Sequence, residues 1–129
     1  MTLLPAFLYY FEDAYIGILG IRRDENTFKP NLYYENLPPI DKDTLVIILD
    51  PMIATGGTLC LAIDKSLQKG AKESNIIIHS ILSAPYGIKQ IQLHYKDVTI
   101  NTVAIDEKLN NKKYIVPGLG DYGDRFFGT

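Results

Sequence analysis

Four runs of apolar, largely β-branched residues punctuate the chain: Ala14 to Ile21, Leu45 to Asp50, Asn75 to Leu82 and Val98 to Asp106. None alternates strictly between apolar and polar positions, so each suits a strand covered on both faces, and together they predict a parallel sheet flanked by helices. Between the second and third runs, Leu59, Ile63 and Leu67 recur every four residues and Gly70 follows, which predicts a helix over Gly57 to Lys69 with a glycine stop. Pro85 opens a second helical pattern, with Ile88, Ile91 and Tyr95 on one stripe from Gly87 to Tyr95. Strand, helix, strand, helix, strand is a pair of βαβ units, and it predicts an α/β domain with a mainly parallel sheet.

The remaining segments carry other patterns. Leu3 to Phe11 is apolar and predicts a core helix; at that length it is far short of the ~20 residues that span a bilayer, and no basic residue precedes it, so no targeting signal is expected. Arg22 to Asp43 is charged and holds Pro30, Pro38 and Pro39 among Phe28, Leu32, Tyr33, Tyr34 and Leu37, which predicts an extended flap or hood off the sheet. After Asp106 the chain turns polar, and Tyr114 to Thr129 is so rich in glycine that no regular element is expected there.

Composition narrows the function classes. A chain of 129 residues, 47% hydrophobic, has enough core for one domain spanning residues 1–129. With 13 basic and 15 acidic side chains the net charge is −2, so neither nucleic acid nor an anionic membrane is an expected partner. A lone Cys60 rules out an internal disulfide and points to a reducing compartment, expected to be the cytoplasm; no Cys/His cluster has metal-ligand spacing, and no protein metal ligand is expected.

The strongest chemical signal is Val46 to Thr58: an apolar strand, an acid at its carboxyl end, a small-residue loop with two glycines and two threonines, then a helix. Such a turn aims backbone N–H groups and the positive end of a helix dipole at one point, which suits a phosphate. Thr55 and Thr58 add hydroxyls, and Asp50 stands where the sheet opens, placed for ribose hydroxyls or a divalent cation. A nucleoside-triphosphate loop requires a lysine that is absent after Gly57. Gly118 to Gly123 matches GxGxxG literally, but it lacks a preceding strand of a βαβ unit, and the six residues left are too few for a helix, so it reads as an exposed-backbone loop that offers peptide groups to a flat heterocycle. Arg23 lies just past the first strand, a position from which it can meet an anion. His79, His94 and the Tyr33–Tyr34 pair read as structural.

Taken in order, DPMIATGGT (50–58), SAPYGIK (83–89), AIDEKLN (104–110) and YIVPGLGDYGDRFFGT (114–129) resemble the uracil phosphoribosyltransferase family over essentially the whole chain. The resemblance implies a phosphoribosyltransferase type I fold and conversion of uracil and 5-phosphoribosyl 1-diphosphate to UMP and pyrophosphate in pyrimidine salvage, with magnesium held mainly through the phosphoribosyl substrate. It implies that Asp50, Pro51, Met52, Ile53, Ala54, Thr55, Gly56, Gly57 and Thr58 form the phosphoribosyl loop, with Asp50 on the ribose. Arg23, within Arg23-Asp24-Glu25-Asn26-Thr27, would contact the same substrate. Ile115, Gly120, Asp121 and Tyr122 would hold uracil, whose O2, N3 and O4 edge peptide groups can match; Asp121 would lie near both substrates, so Asp121 and Arg23 are the catalytic candidates. No protein nucleophile is implied.

The chain also departs from the family. Relatives are longer at the N-terminus, where an arginine-containing RAGLGM-like loop binds pyrophosphate; Met1 to Leu4 stands at that loop's end, which leaves room for a weak or inactive form. Lys108 replaces a usual glycine, and Tyr122 a smaller residue. A second reading is a non-catalytic module that keeps the phosphoribosyl site and binds UMP and a protein or RNA partner; a third is a fragment without function. The apolar N-terminal helix (Leu3, Leu4, Phe7, Leu8, Phe11) and a sheet shorter than the family's leave hydrophobic surface that one domain of this size struggles to cover, and this and the family's habit both point to a homodimer or higher oligomer.

Overall fold

The computed structural model describes residues 2–24 and 26–129. Met1 of the N-terminal stretch and Glu25 of the 23–27 motif lie outside the described residues. The elements are α1 (Leu4–Tyr10), β1 (Ile18–Arg23), β2 (Pro30–Asn36), β3 (Val46–Leu49), β4 (Met52–Ile53), α2 (Gly57–Lys69), β5 (Ile76–Ser83), α3 (Pro85–His94), β6 (Thr99–Ile105), β7 (Lys108–Leu109), β8 (Ile115–Val116) and α4 (Tyr122–Phe127).

Strand β5 is the spine of the parallel sheet. Along one edge it pairs first with β3 (Val46 opposite Ile76) and then with β4 (Met52 opposite Leu82); along the other it pairs with β6 (Ile77 opposite Thr99). The break between β3 and β4 falls at Pro51, which has no N–H to give a ladder, although its carbonyl accepts from Ile81 and Leu82 N–H at 3.1 Å. Helices α2 and α3 are the crossovers predicted from the four-residue periodicity, and α2 ends as expected at Gly70, whose φ of 119° leaves its N–H free to cap the carbonyls of Leu67 and Ser66. Ile53, Leu59, Ile63, Ile76, Ile78, Ile91 and Val98 form the buried core between helices and sheet.

Three expectations are corrected. The run Ala14 to Ile21 is not a member of the parallel sheet: the strand is shifted to Ile18–Arg23 and pairs antiparallel with β2. The connection from Asp24 to Lys29 is too short for any crossover and can close only a hairpin. Its turn is fastened by Asp24 Oδ1, which accepts from Asn26 N–H (3.0 Å), Thr27 N–H (2.7 Å) and Thr27 Oγ1 (2.9 Å). This hairpin is the flap off the sheet, and Glu35 ties it to α2 through Lys65 at 3.0 Å and Lys69 at 3.9 Å.

The N-terminal helix forms, but none of its residues is buried. Phe7 leans on His79 at 4.9 Å between ring centroids, while Tyr9 and Tyr10 stay more than 70% exposed, so the apolar run covers the sheet's flank instead of filling its core. The C-terminal stretch is also more regular than its glycines predict. Strand β8 pairs antiparallel with β7, and α4 starts where Asp121 accepts from Asp124 N–H at 2.9 Å and stops at left-handed Gly128. An N-cap carboxylate and a C-terminal glycine define even this short helix. Lys108, where the family pattern has glycine, lies in β7 and is not among the positive-φ positions, so nothing in its backbone calls for glycine.

Candidate functional site

Asp50, at the end of β3, begins a loop that crosses the carboxyl edge of the sheet and enters α2 at Gly56, whose φ of 82° places it in the left-handed region. A side chain there would also collide with α3, because a Cβ would lie 2.8 Å from the Gly87 carbonyl oxygen. The glycine therefore brings the loop against the start of α3 and turns the first-turn N–H groups of α2 toward solvent, unpaired within the helix and at its positive end. Thr55 Oγ1 accepts from Gly57 N–H at 3.5 Å, which steadies the turn. The Asp50 carboxylate accepts from Met52 N–H at 3.2 Å, and burial pushes its pKa up to about 6 against that bond.

The second loop is shaped from β6. Asp106 stands one residue past β6, as Asp50 stands one residue past β3, and its Oδ2 accepts from Gly118 N–H at 2.8 Å. Gly118 has φ 51°, and a Cβ on it would lie 2.0 Å from the Ile115 carbonyl oxygen. The Val116–Pro117 peptide is cis and Gly120 has φ 81°. The strand end, the Asp106 anchor and this backbone fold the loop back so that Gly120, Asp121 and Tyr122 face the loop of Asp50.

Between the two loops opens a cleft of about 330 Å³. It is lined by Arg23, Asp50, Pro51, Met52, Ile53, Ala54, Thr55, Gly56, Thr58, Ile115, Gly120, Asp121 and Tyr122. Of the residues singled out in the sequence, only Gly57 is left outside this lining; it faces the hairpin, where a Cβ would meet Pro30 at 3.5 Å. The cleft also takes in Gly123, of the Gly118–Gly123 loop, and Ile21, Leu59, Lys113 and Tyr114, which sequence reasoning missed. The signal for Lys113 was invisible: it is a lysine at φ 63° in a tight turn. Asp106 carried a usable signal, since an acid at a parallel strand's carboxyl end repeats the position of Asp50.

Arg23 reaches the cleft from the hairpin. Its guanidinium carbon lies 5.4 Å from the ring centroid of Phe28 and 5.8 Å from that of Tyr114. Among the described residues it forms no ion pair. Asp121 uses Oδ1 as the cap of α4, and its Oδ2 accepts no hydrogen bond from the described residues. His79 and His94 stay outside the cleft; His94 Nδ1 lies 2.8 Å from the Gln90 carbonyl on its own helix.

An α/β fold with a glycine-turned loop at a helix N-terminus and a second loop facing it across a cleft at the carboxyl edge of a parallel sheet defines the class of α/β proteins whose cleft lies outside the strands' carboxyl ends. Within that class, the uracil phosphoribosyltransferase family model matches residues 1–129, and the chain belongs to this family. It is 46% identical, over its full length, to the uracil phosphoribosyltransferase of Campylobacter concisus (strain 13826), of which it covers 61%. It is 47% identical to the uracil phosphoribosyltransferase of Lactococcus lactis subsp. lactis (strain IL1403), covering 58% of that protein. The AQ2163 protein from Aquifex aeolicus superposes with a TM-score of 0.90 at 42% identity over 98% of this chain and 59% of that one. The chain thus spans about three-fifths of the length of the relatives it matches.

Proposed function

We propose that this chain carries the uracil and phosphoribosyl sites of a uracil phosphoribosyltransferase, joining uracil to 5-phosphoribosyl 1-diphosphate to give UMP and pyrophosphate in pyrimidine salvage. The observation that carries the reading is the meeting, in one cleft, of three segments far apart in sequence: Arg23, Asp50–Thr58 and Ile115–Tyr122. Family membership over the whole chain supports the same substrates.

In this reading the 5′-phosphate rests on the 54–58 turn, where the amides of α2 and the hydroxyls of Thr55 and Thr58 supply donors and the helix dipole supplies charge. Asp50 accepts from the ribose hydroxyls. Uracil lies against the 115–122 backbone: peptide N–H groups donate to O2 and O4, and a carbonyl accepts from N3–H. Cytosine presents an amino donor and an unprotonated N3 there, leaving peptide groups unmatched. In the reaction the C1′–oxygen bond to diphosphate breaks, the N1–C1′ bond forms and the N1 proton departs. The sugar passes through an oxocarbenium-like state, so fixed geometry and the Asp121 carboxylate beside the developing positive charge do most of the work, with Arg23 on the phosphoribosyl substrate.

Magnesium fits the donor set in one way only. Among the described residues no group of three or more His, Cys, Asp and Glu is placed to hold an ion. Asp50 offers a hard oxygen at the cleft, so the ion would be held by substrate oxygens and at most one or two carboxylates, the arrangement magnesium favours. Its chemistry when bound is to neutralise charge on the leaving diphosphate. A homodimer or higher oligomer in the cytoplasm, with no membrane or nucleic-acid partner, completes the proposal; Tyr9, Tyr10 and Phe11 are exposed apolar side chains that a second subunit would cover. Among the described residues no helix is long and apolar enough to cross a membrane.

The test is UMP formation from labelled uracil, 5-phosphoribosyl 1-diphosphate and magnesium, run beside UMP binding on the same preparation. Turnover is the expected result. UMP binding without turnover would transfer the reading to the non-catalytic nucleotide-binding module, and absence of both would overturn it.

A further inference from the structure

Phe28 is a bulky aromatic residue at φ 57°, a conformation that such side chains rarely adopt, and no part of the cleft's lining accounts for it. The turn enforces it: Phe28 N–H donates to the Asp24 carbonyl at 2.9 Å, and the Asp24 carboxylate locks Thr27 beside it. The result places the Phe28 ring under the Arg23 guanidinium at 5.4 Å, while Tyr114, from the segment leading into Ile115, presents its ring to the same guanidinium at 5.8 Å. Both distances lie within the ~6 Å at which a ring face attracts a cation.

An aromatic contact differs from an ion pair in what it leaves free. A carboxylate partner would take up the guanidinium N–H donors in strong charge-assisted bonds, whereas a ring attracts the cation through its quadrupole and does not neutralise its charge. Arg23 lines the cleft, and among the described residues its aromatic neighbours are the contacts that hold its guanidinium.

We propose that Phe28 and Tyr114 are positioning residues that orient Arg23 for the anionic oxygens of the phosphoribosyl substrate, joining the flap to the uracil loop through one guanidinium; the ligand named here rests on the function proposed above. The geometry makes Phe28 the more informative of the two, because it lies outside the cleft and touches Arg23 without lining the site.

The test uses the full chain and two readouts. The first needs no ligand: the Arg23 Nε–Hε resonance is expected to be displaced by ring currents in the wild type and to move toward its ordinary position in Phe28→Leu. The second is affinity for 5-phosphoribosyl 1-diphosphate with magnesium, expected to weaken about 3- to 10-fold in Phe28→Leu. It should recover in Phe28→Tyr and fall again with 4-cyanophenylalanine at position 28, which keeps the ring's shape but drains its face of negative potential. A resonance unchanged between wild type and Phe28→Leu would overturn the contact. A resonance that moves while affinity does not would overturn the positioning role and leave the proposed function standing. A wild type that shows the displaced resonance yet binds no phosphoribosyl diphosphate would overturn the substrate reading, and the role assigned to the rings with it.

Discussion

Gly56 and Gly87 meet backbone to backbone: a Cβ on Gly56 would lie 2.8 Å from the Gly87 carbonyl oxygen, and one on Gly87 would lie 2.5 Å from that of Ala54. The 50–58 loop is thus seated on the start of α3 with no side chain between them, and neither oxygen can move without shifting a helix or the loop. Gly87→Ala is expected to cost about 1–3 kcal/mol of stability by overpacking and to weaken UMP binding with it. Urea unfolding and UMP titration of the variant check both effects; unchanged midpoint and affinity would show the contact to be soft.

Asp50 makes stability depend on pH in an unusual direction. Its folded pKa is raised from the model-peptide value of 3.8 to about 6 by burial, so ionising it costs more in the folded chain than in the unfolded one. The unfolded state therefore releases this proton first, and the group's contribution falls as pH rises from about 4 to about 6, then stays constant, a loss of about 3 kcal/mol in all. Asp50→Asn is expected to gain on the wild type through that window and to hold its advantage above it. Denaturation curves of the two proteins at a series of pH values give the difference directly, and a gap that does not widen between pH 4 and 6 would contradict the assignment.

Asp106 is expected to hold the 115–122 loop in shape, where the proposed function places uracil. Asp106→Ala leaves Gly118 N–H without the acceptor it has at 2.8 Å and is expected to destabilise by about 1–3 kcal/mol, while Asp106→Asn keeps an acceptor oxygen and loses less. Uracil or UMP affinity should follow the same order, with the phosphoribosyl site less affected.

Asp121 separates structure from chemistry. Asparagine caps helices as well as aspartate does, so Asp121→Asn should retain α4 and unfold within about 0.5 kcal/mol of the wild type while turnover falls. Asp121→Ala should lose both, with the cap worth about 1 kcal/mol. Arg23→Ala should raise the KM for phosphoribosyl diphosphate. Unchanged turnover and affinity in Asp121→Asn and Arg23→Ala would remove both from the site.

Periodic signals survived the passage to three dimensions well. The helix over Gly57–Lys69 forms with both predicted ends, because its buried stripe and its glycine stop are local properties. The loop from Asp50 to Thr58 was legible for the same reason, since a strand end, an acid and a glycine turn adjoin in sequence. The first apolar run misled because its composition suits a parallel strand and an antiparallel hairpin equally; only the short turn fastened by Asp24 decides between them. The C-terminal helix escaped because it is only six residues long and glycines stand before, within and after it, and the signal lay in one capping carboxylate, Asp121.

The amino-acid sequence by itself determined the α/β core, the glycine turn from β3 into α2 and membership of a family whose motifs run in order along the chain, because burial stripes, capping residues and glycine turns act over a few positions. The tertiary structure alone decided that Arg23 lies over the rings of Phe28 and Tyr114, that Asp106 fastens Gly118, and that Lys113 borders the cleft. These contacts join segments that are remote in sequence or sit in tight turns, and their energies depend on distances that no periodicity encodes.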